Sequence, residues 1–270
     1  MVPFISDHSS RRLQTGLRRP IGVGLLLILL LWAPGATAQW QEYQADYAVY
    51  RNGKHIGEVT FALTRQTDTQ WLLTSVGKGS RGLARLLGAT HDEWVSGRLE
   101  NGHFRPERFS HYSRVAGFDE IWQASFDWQN RAVAITQGNK SHILNFEADA
   151  LDGLSMRLEM QRRLRDQETD LTFFKVDEDA IKPQHYRQLP VEYLDTSLGC
   201  LSTVPVERVR TQSTRSTRAW HAPALEFLIV RTEDRKASGE LLKLRITRLV
   251  FGDCTVPPTA DCATPAHDPS

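Results

Sequence analysis

The stretch Tyr43–Leu63, YQADYAVYRNGKHIGEVTFAL, decides the fold. Tyr43, Ala45, Tyr47 and Val49 alternate with Gln44, Asp46, Ala48 and Tyr50, the period-two pattern of a strand that buries one face. Asn52-Gly53 then supplies the two positive φ angles of a tight hairpin turn. His55–Leu63 returns, with Ile56, Val59 and Phe61 as expected core contacts, and Gly57 interrupts the alternation where a bulge would sit.

The same grammar runs outward from this hairpin. Strands are expected over 70–76, 90–100, 104–115, 118–128, 131–137 and 141–147, with turns at Asn101-Gly102, Gln129-Asn130 and Gly138-Asn139. Residues 151–167 break the rhythm. Leu151, Leu154 and Leu158 share one helical face, which Met160 and Leu164 widen, and Asp152 or Ser155 could cap its start. Arg157, Arg162, Arg163 and Arg165 interleave with Glu159, Asp166 and Glu168, which reads as a solvated face. Strands resume over 171–176, 185–196, 203–210, 217–222, 226–231 and 240–250. The expected fold is mainly β: a strongly curved antiparallel sheet or incomplete β-barrel with one amphipathic helix, as one domain over 39–253.

The N-terminus reads as a secretion signal. Arg11, Arg12, Arg18 and Arg19 precede the apolar run Ile21–Leu31; Pro34-Gly35 break it, and Ala36-Thr37-Ala38 is a small-x-small cleavage pattern. The run is shorter than the roughly 20 residues a spanning helix needs. Cleavage after Ala38 and a periplasmic destination are expected, with 1–38 as the signal and no membrane span after its removal; an uncleaved anchor is the alternative. Over the whole chain 33 basic and 32 acidic side chains nearly cancel, which leaves no polybasic footprint for nucleic acid. Pro257, Pro258, Pro265 and Pro269 mark 254–270 as a Pro-rich, disordered tail. Cys254 and Cys262, close in sequence, are the candidate disulfide; Cys200 with Cys254 is equally allowed. Three scattered cysteines do not make a structural zinc site.

Several short stretches are similar to an exported bacterial family known as domain of unknown function 3108. They are Tyr47-Ala48-Val49-Tyr50 followed by Gly53-Lys54 and Ile56-Gly57, Phe104-Arg105-Pro106-Glu107, Asp152-Gly153-Leu154-Ser155, Thr196-Ser197-Leu198-Gly199 and Trp220-His221-Ala222. Ser197 stands where the family pattern has Pro. The resemblance runs over roughly Trp40 to Val250 and implies secretion, a β-rich fold and no assigned activity. It carries no catalytic residues to transfer.

Motifs for chemistry do not survive their context. Gly77-Lys78-Gly79-Ser80-Arg81-Gly82 fits G-x-G-x-x-G, but Gly88 ends the following apolar turn far short of a crossover helix. Gly77, Gly79 and Gly82 read instead as a candidate gate loop beside a sheet mouth. Ser75-Val76-Gly77-Lys78 has the spacing of an acyl-enzyme Ser-x-x-Lys, but it falls at a strand end and lacks that chemistry's other motifs. His91-Asp92-Glu93 is the densest acid–base cluster, with His103 and His111 on neighbouring strands; it reads as a polar outer sheet face, and no catalytic, metal or cofactor site is assigned. The tryptophans read first as core. A subset on one concave wall would make a pocket, and Trp71, Trp94, Trp122 and Trp220 with Phe104 are the candidates. The functional expectation is a non-enzymatic binder or carrier of a lipid-like or amphipathic ligand. The alternatives are an envelope-protein interaction module working through a sheet edge, and behind it a hydrolase using His91 and Glu93.

Overall fold

A computed structural model describes residues 40–259 and 262 of the 270-residue chain. The proposed signal, 1–38, lies outside the described residues.

Nine strands lie before the main helix: β1 (Tyr43–Arg51), β2 (Lys54–Arg65), β3 (Gln70–Gly79), β4 (Thr90–Glu100), β5 (His103–Val115), β6 (Phe118–Asp127), β7 (Ala132–Gln137), β8 (Lys140–Asn145) and β9 (Ala150–Leu151). Eight follow it: β10 (Leu171–Val176), β11 (Ile181–Gln188), β12 (Glu192–Thr196), β13 (Gly199–Val209), β14 (Ser216–Ala222), β15 (Leu228–Arg235), β16 (Leu241–Phe251) and β17 (Cys254–Thr255). The helices are α1 (Gly82–Leu86) and α2 (Gly153–Arg165).

Strands β1 to β8 pair as successive antiparallel neighbours. The other side of β1 pairs with β16, and the ladder continues through β15, β14, β13 and β11 to β10. β8 pairs with β7 alone and β9 with β10 alone among the described residues, so the sheet curves without closing. The incomplete barrel with one amphipathic helix is therefore what the sequence forms. No helix among the described residues is long and apolar enough to cross a membrane.

The deciding hairpin forms as its residues dictate. Asn52 and Gly53 take φ of 49° and 78°, and Arg51 pairs with Lys54. The register slips between Val49 and Tyr50, opposite Gly57, so the bulge is there. Asp152 caps α2, its carboxylate accepting from the Leu154 and Ser155 amides at 2.8 and 3.0 Å. Leu154, Leu158 and Leu164 are buried. The charged face is not wholly solvated: Glu159 and Arg162 are buried and bond one another, and Glu159 also reaches His103 and the Phe104 amide. A helix laid inside a curved sheet has neighbours on more than one side, so part of its polar stripe is covered.

The chain from Cys254 is not wholly tail. Cys254–Thr255 adds β17 to β16, Val256 packs against the core, and the Thr259 amide donates to Leu198 O at 2.9 Å. That run carries Cys262 to Cys200, and these two form the disulfide, leaving Cys254 free and exposed. The expected Cys254–Cys262 staple is thus corrected. β17 folds back on β16 while residues 256–259 continue to the turn before β13, so eight residues of sequence become a separation across the sheet.

Candidate functional site

The inner face of the curved sheet is graded. Leu63, Leu73, Val95, Phe109, Ala124 and Ile135 lie in register across β2 to β7 and are buried. Four residues nearer the open end, the equivalent row is Val59, Gly77, His91 and Ser113. Small inward side chains here leave space that bulky ones fill further along. The result is a cavity of about 460 Å3. Val49, Ile56, Val59, Phe61, Leu242 and Leu244 give it an apolar wall, and Ser75, His91, Glu93 and Ser113 give it one polar side.

Glycine permits part of this shape. A Cβ on Gly57 would meet Lys78 O at 2.3 Å, and one on Gly79 would meet Ala84 O at 2.6 Å. Gly79 is therefore where α1 packs close against the sheet. Gly77 and Gly79 line the cavity, and Gly82 opens α1 at φ 56°. Around the mouth, Leu83, Leu86, Val115 and Phe118 are exposed, Phe118 by 82%. The Ala116 amide donates to Leu87 O at 2.8 Å, which ties the β5–β6 turn to α1 in one apolar rim. Lys78, Arg81 and Arg85 form no ion pair among the described residues.

A second cavity of about 300 Å3 shares Phe61 and Glu93 with the first. Leu154, Met156, Arg157 and Met160 of α2 face Tyr186, Val206, Ala219, His221 and Ile229 across it.

At the junction, Glu93 joins two histidines on the inner face of the sheet, not on the outer face expected from the sequence. His111, directly opposite on β5, places Nδ1 2.8 Å from Glu93 Oε1, and His91 Nε2 lies 3.3 Å from Oε2. Burial would raise the Glu93 pKa, but bonds from His111 and His91 take it down to about 2. The same bond raises that of His111. One ligand atom from each residue lies within 4.8 Å of the others, a spacing that could hold a cation. Both carboxylate oxygens already face an imidazole nitrogen, so the three groups satisfy one another as they stand. Ser75 is buried opposite Glu93 and makes no side-chain hydrogen bond to it.

The aromatic pocket candidates lie elsewhere. None of Trp71, Trp94, Trp122, Phe104 and Trp220 lines either cavity. Trp71 is fully buried over Gly97, where a Cβ would come within 2.5 Å of the indole, and it packs edge-on to Phe104 at 5.6 Å. Trp122 stacks on Phe109 and His111, and Trp220 donates to Glu192 at 2.9 Å. Trp94 points to the outer face, 38% exposed. Large rings win the tightly packed end because they bury the most area there, and the hollow is left to small residues. Sequence reasoning singled out Gly77, Gly79, His91 and Glu93, though not as walls of a hollow, and it missed Ser113 and Arg157 as lining residues.

The family model described as "Protein of unknown function (DUF3108)" matches residues 42–246. No curated protein matches the chain. Among solved structures, a β-barrel-like protein of domain of unknown function DUF1849 from Brucella abortus superposes with a TM-score of 0.53 at 6% identity. The match covers 79% of this chain and 99% of that one, and shows a shared fold. A candidate exported protein with a YmcC-like fold from Bacteroides fragilis gives a TM-score of 0.32 at 9% identity over 78% of this chain and 97% of that one.

Proposed function

The chain belongs to the DUF3108 family of proteins of unknown function, and on that premise we propose that it is an exported, non-enzymatic binder of a lipid-like amphipathic molecule. The single observation that carries this reading is the 460 Å3 hollow, walled by aliphatic side chains and rimmed by exposed Leu83, Leu86 and Phe118. Its volume is within the roughly 300–1,000 Å3 range of small-molecule sites. Folding does not leave such a space empty of consequence, because an unfilled apolar wall forfeits dispersion contacts that a tail would restore. The rim adds apolar surface next to Lys78, Arg81 and Arg85, cations unpaired among the described residues, a combination suited to meeting an anionic lipid surface. Export rests on the leader, with 1–38 removed after Ala38 and the product in the periplasm.

Native mass spectrometry of protein purified from the periplasm tests the reading. A co-purifying lipid mass, released on denaturation, is expected. A clean ligand-free mass, with no uptake of decanoate or 1-decanol offered in solution, would refute it.

A second reading, protein contact through a sheet edge, draws on β12. This strand pairs with β13 alone among the described residues, and Val191 and Tyr193 beside and within it are exposed by 58% and 73%.

A further inference from the structure

We propose that Arg157, on the wall of the 300 Å3 cavity, is the seat for the anionic head group of a single-chain amphiphile whose tail passes Phe61, which lines both cavities, into the 460 Å3 hollow. This deepens the binding reading and rests on it.

Arg157 is a cation without a counter-charge. Its Nη2 donates to Tyr47 Oη at 3.0 Å, its plane lies 4.1 Å from the Phe61 ring centre, and its buried Nε has no acceptor. No carboxylate pairs with it among the described residues. Of the other arginines with an unsatisfied Nε, Arg105 pairs with Glu100, Arg163 with Glu159 and Arg231 with Glu233, and Arg208 alone shares the unpaired state among the described residues. Glu93 shares the cavity wall, but His111 and His91 occupy its two oxygens. Leaving a guanidinium partly desolvated and unpaired is costly unless something anionic completes it.

Two further arginines stand at the β13 end of this cavity. Arg208 pairs across the ladder with Tyr186, which lines the cavity, and lies two residues beyond cavity-lining Val206. Arg210 donates to Thr217 Oγ1 at 2.9 Å, also a lining residue. Neither forms an ion pair among the described residues; burial and the neighbouring Arg208 lower the Arg210 pKa, with the Asp234 charge opposing them. His221 on the same wall is buried and uncharged. An unpaired guanidinium on the wall of an apolar pocket, with two more arginines at the β13 end of it, matches a head group able to take charge-assisted, two-pronged bonds, a carboxylate or a phosphate monoester.

Two ten-carbon probes separate the claims. Decanoate and 1-decanol are titrated into wild type, Arg157→Met and Arg208→Gln, with inorganic phosphate as a head group without a tail. Methionine keeps most of the apolar stem and removes the guanidinium that lies over Phe61. In wild type, decanoate is expected to bind about tenfold more tightly than decanol. Arg157→Met brings the ratio near one, and Arg208→Gln lowers it by a few-fold. A wild-type ratio near one, or an unchanged ratio in Arg157→Met, overturns the head-group seat while decanol binding keeps the carrier reading alive. Phosphate binding as tight as decanoate overturns the amphiphile in favour of a free anion. If neither ten-carbon probe binds, both readings fail together.

Discussion

His111 Nδ1 lies 2.8 Å from Glu93 Oε1 across one antiparallel pair, and that bond stands at the junction of the two cavities. It raises the His111 pKa above its ordinary 6.5 and holds Glu93 down to about 2. The contribution to stability is therefore complete between about pH 4.5 and 6.5. It is lost as pH rises through the raised His111 value and as pH falls through that of Glu93. Histidine ring resonances followed by NMR should show His111 titrating above 6.5. In Glu93→Gln the value should drop. A His111 titration unmoved by that substitution would remove the pair from the account.

Gly77 and Gly79 both line the larger cavity, yet they should respond oppositely to a side chain. The nearest atoms to a Cβ at Gly77 are at 3.6 Å, ordinary contact, whereas at Gly79 Ala84 O is at 2.6 Å. Gly77→Leu should fold, with a melting temperature within a few degrees of wild type, and lose decanol uptake because the new side chain fills the hollow. Gly79→Ala should lose stability by roughly 1–3 kcal/mol, the usual range for overpacking. Undiminished decanol uptake by a folded Gly77→Leu protein would move the ligand site out of this cavity.

Asp152 and His221 oppose each other in one pH window. Burial lifts the Asp152 pKa from 3.8 to about 6, so its contribution to stability is present below 3.8 and lost as pH rises through 6. Burial takes His221 from 6.5 to about 4, so its contribution is present above 6.5 and lost as pH falls through 4. Each is worth roughly 3 kcal/mol at 1.36 kcal/mol per pKa unit. Between pH 4 and 6.5 the two nearly cancel in wild type. Chemical denaturation of single variants separates them. His221→Gln should gain stability as pH falls across the window, and Asp152→Asn should lose it. Parallel slopes in the two variants would contradict both assignments.

The fold was legible because its signals are local. Asn52-Gly53 and Asn101-Gly102 adopt the positive φ angles their residue types allow, and the alternation through Tyr43–Val49 fixes which face is buried. Asp152 was among the candidate caps because its side chain is short and polar at the foot of an apolar helical stripe. The site was legible only in part. Gly77 and Gly79 drew notice as loop glycines, but they lie at the end of β3, and Gly77 leaves space while Gly79 admits α1. The tryptophans misled because aromatic bulk suits a pocket wall and a packed end equally, and only the register says which row is sparse. Arg157 was hidden in a mixed-charge run whose pattern says nothing of which arginine turns inward. The disulfide depended on where residues 256–259 cross, a long-range matter that spacing does not encode.

That crossing gives the last prediction. Cys200 and Cys262 are joined across 62 residues of sequence, while Cys254 is exposed and free. Alkylation of the native, unreduced protein should therefore mark Cys254 alone, read by peptide mass spectrometry. Cys262→Ser should lower stability by up to about 4 kcal/mol, the loop-closure entropy of a crosslink of this length. Cys254→Ser should change it little, since its own strand β17 is two residues long and its side chain meets solvent. Gly199 gives an independent check. Its φ is +93°, and a Cβ there would meet Thr259 O at 2.4 Å, so Gly199→Ala should push away the segment that delivers Cys262. Slower disulfide formation in Gly199→Ala during oxidative refolding would link the turn to the crosslink. Label on Cys200 in native wild type, with Cys254 protected, would mean that the local pairing wins after all.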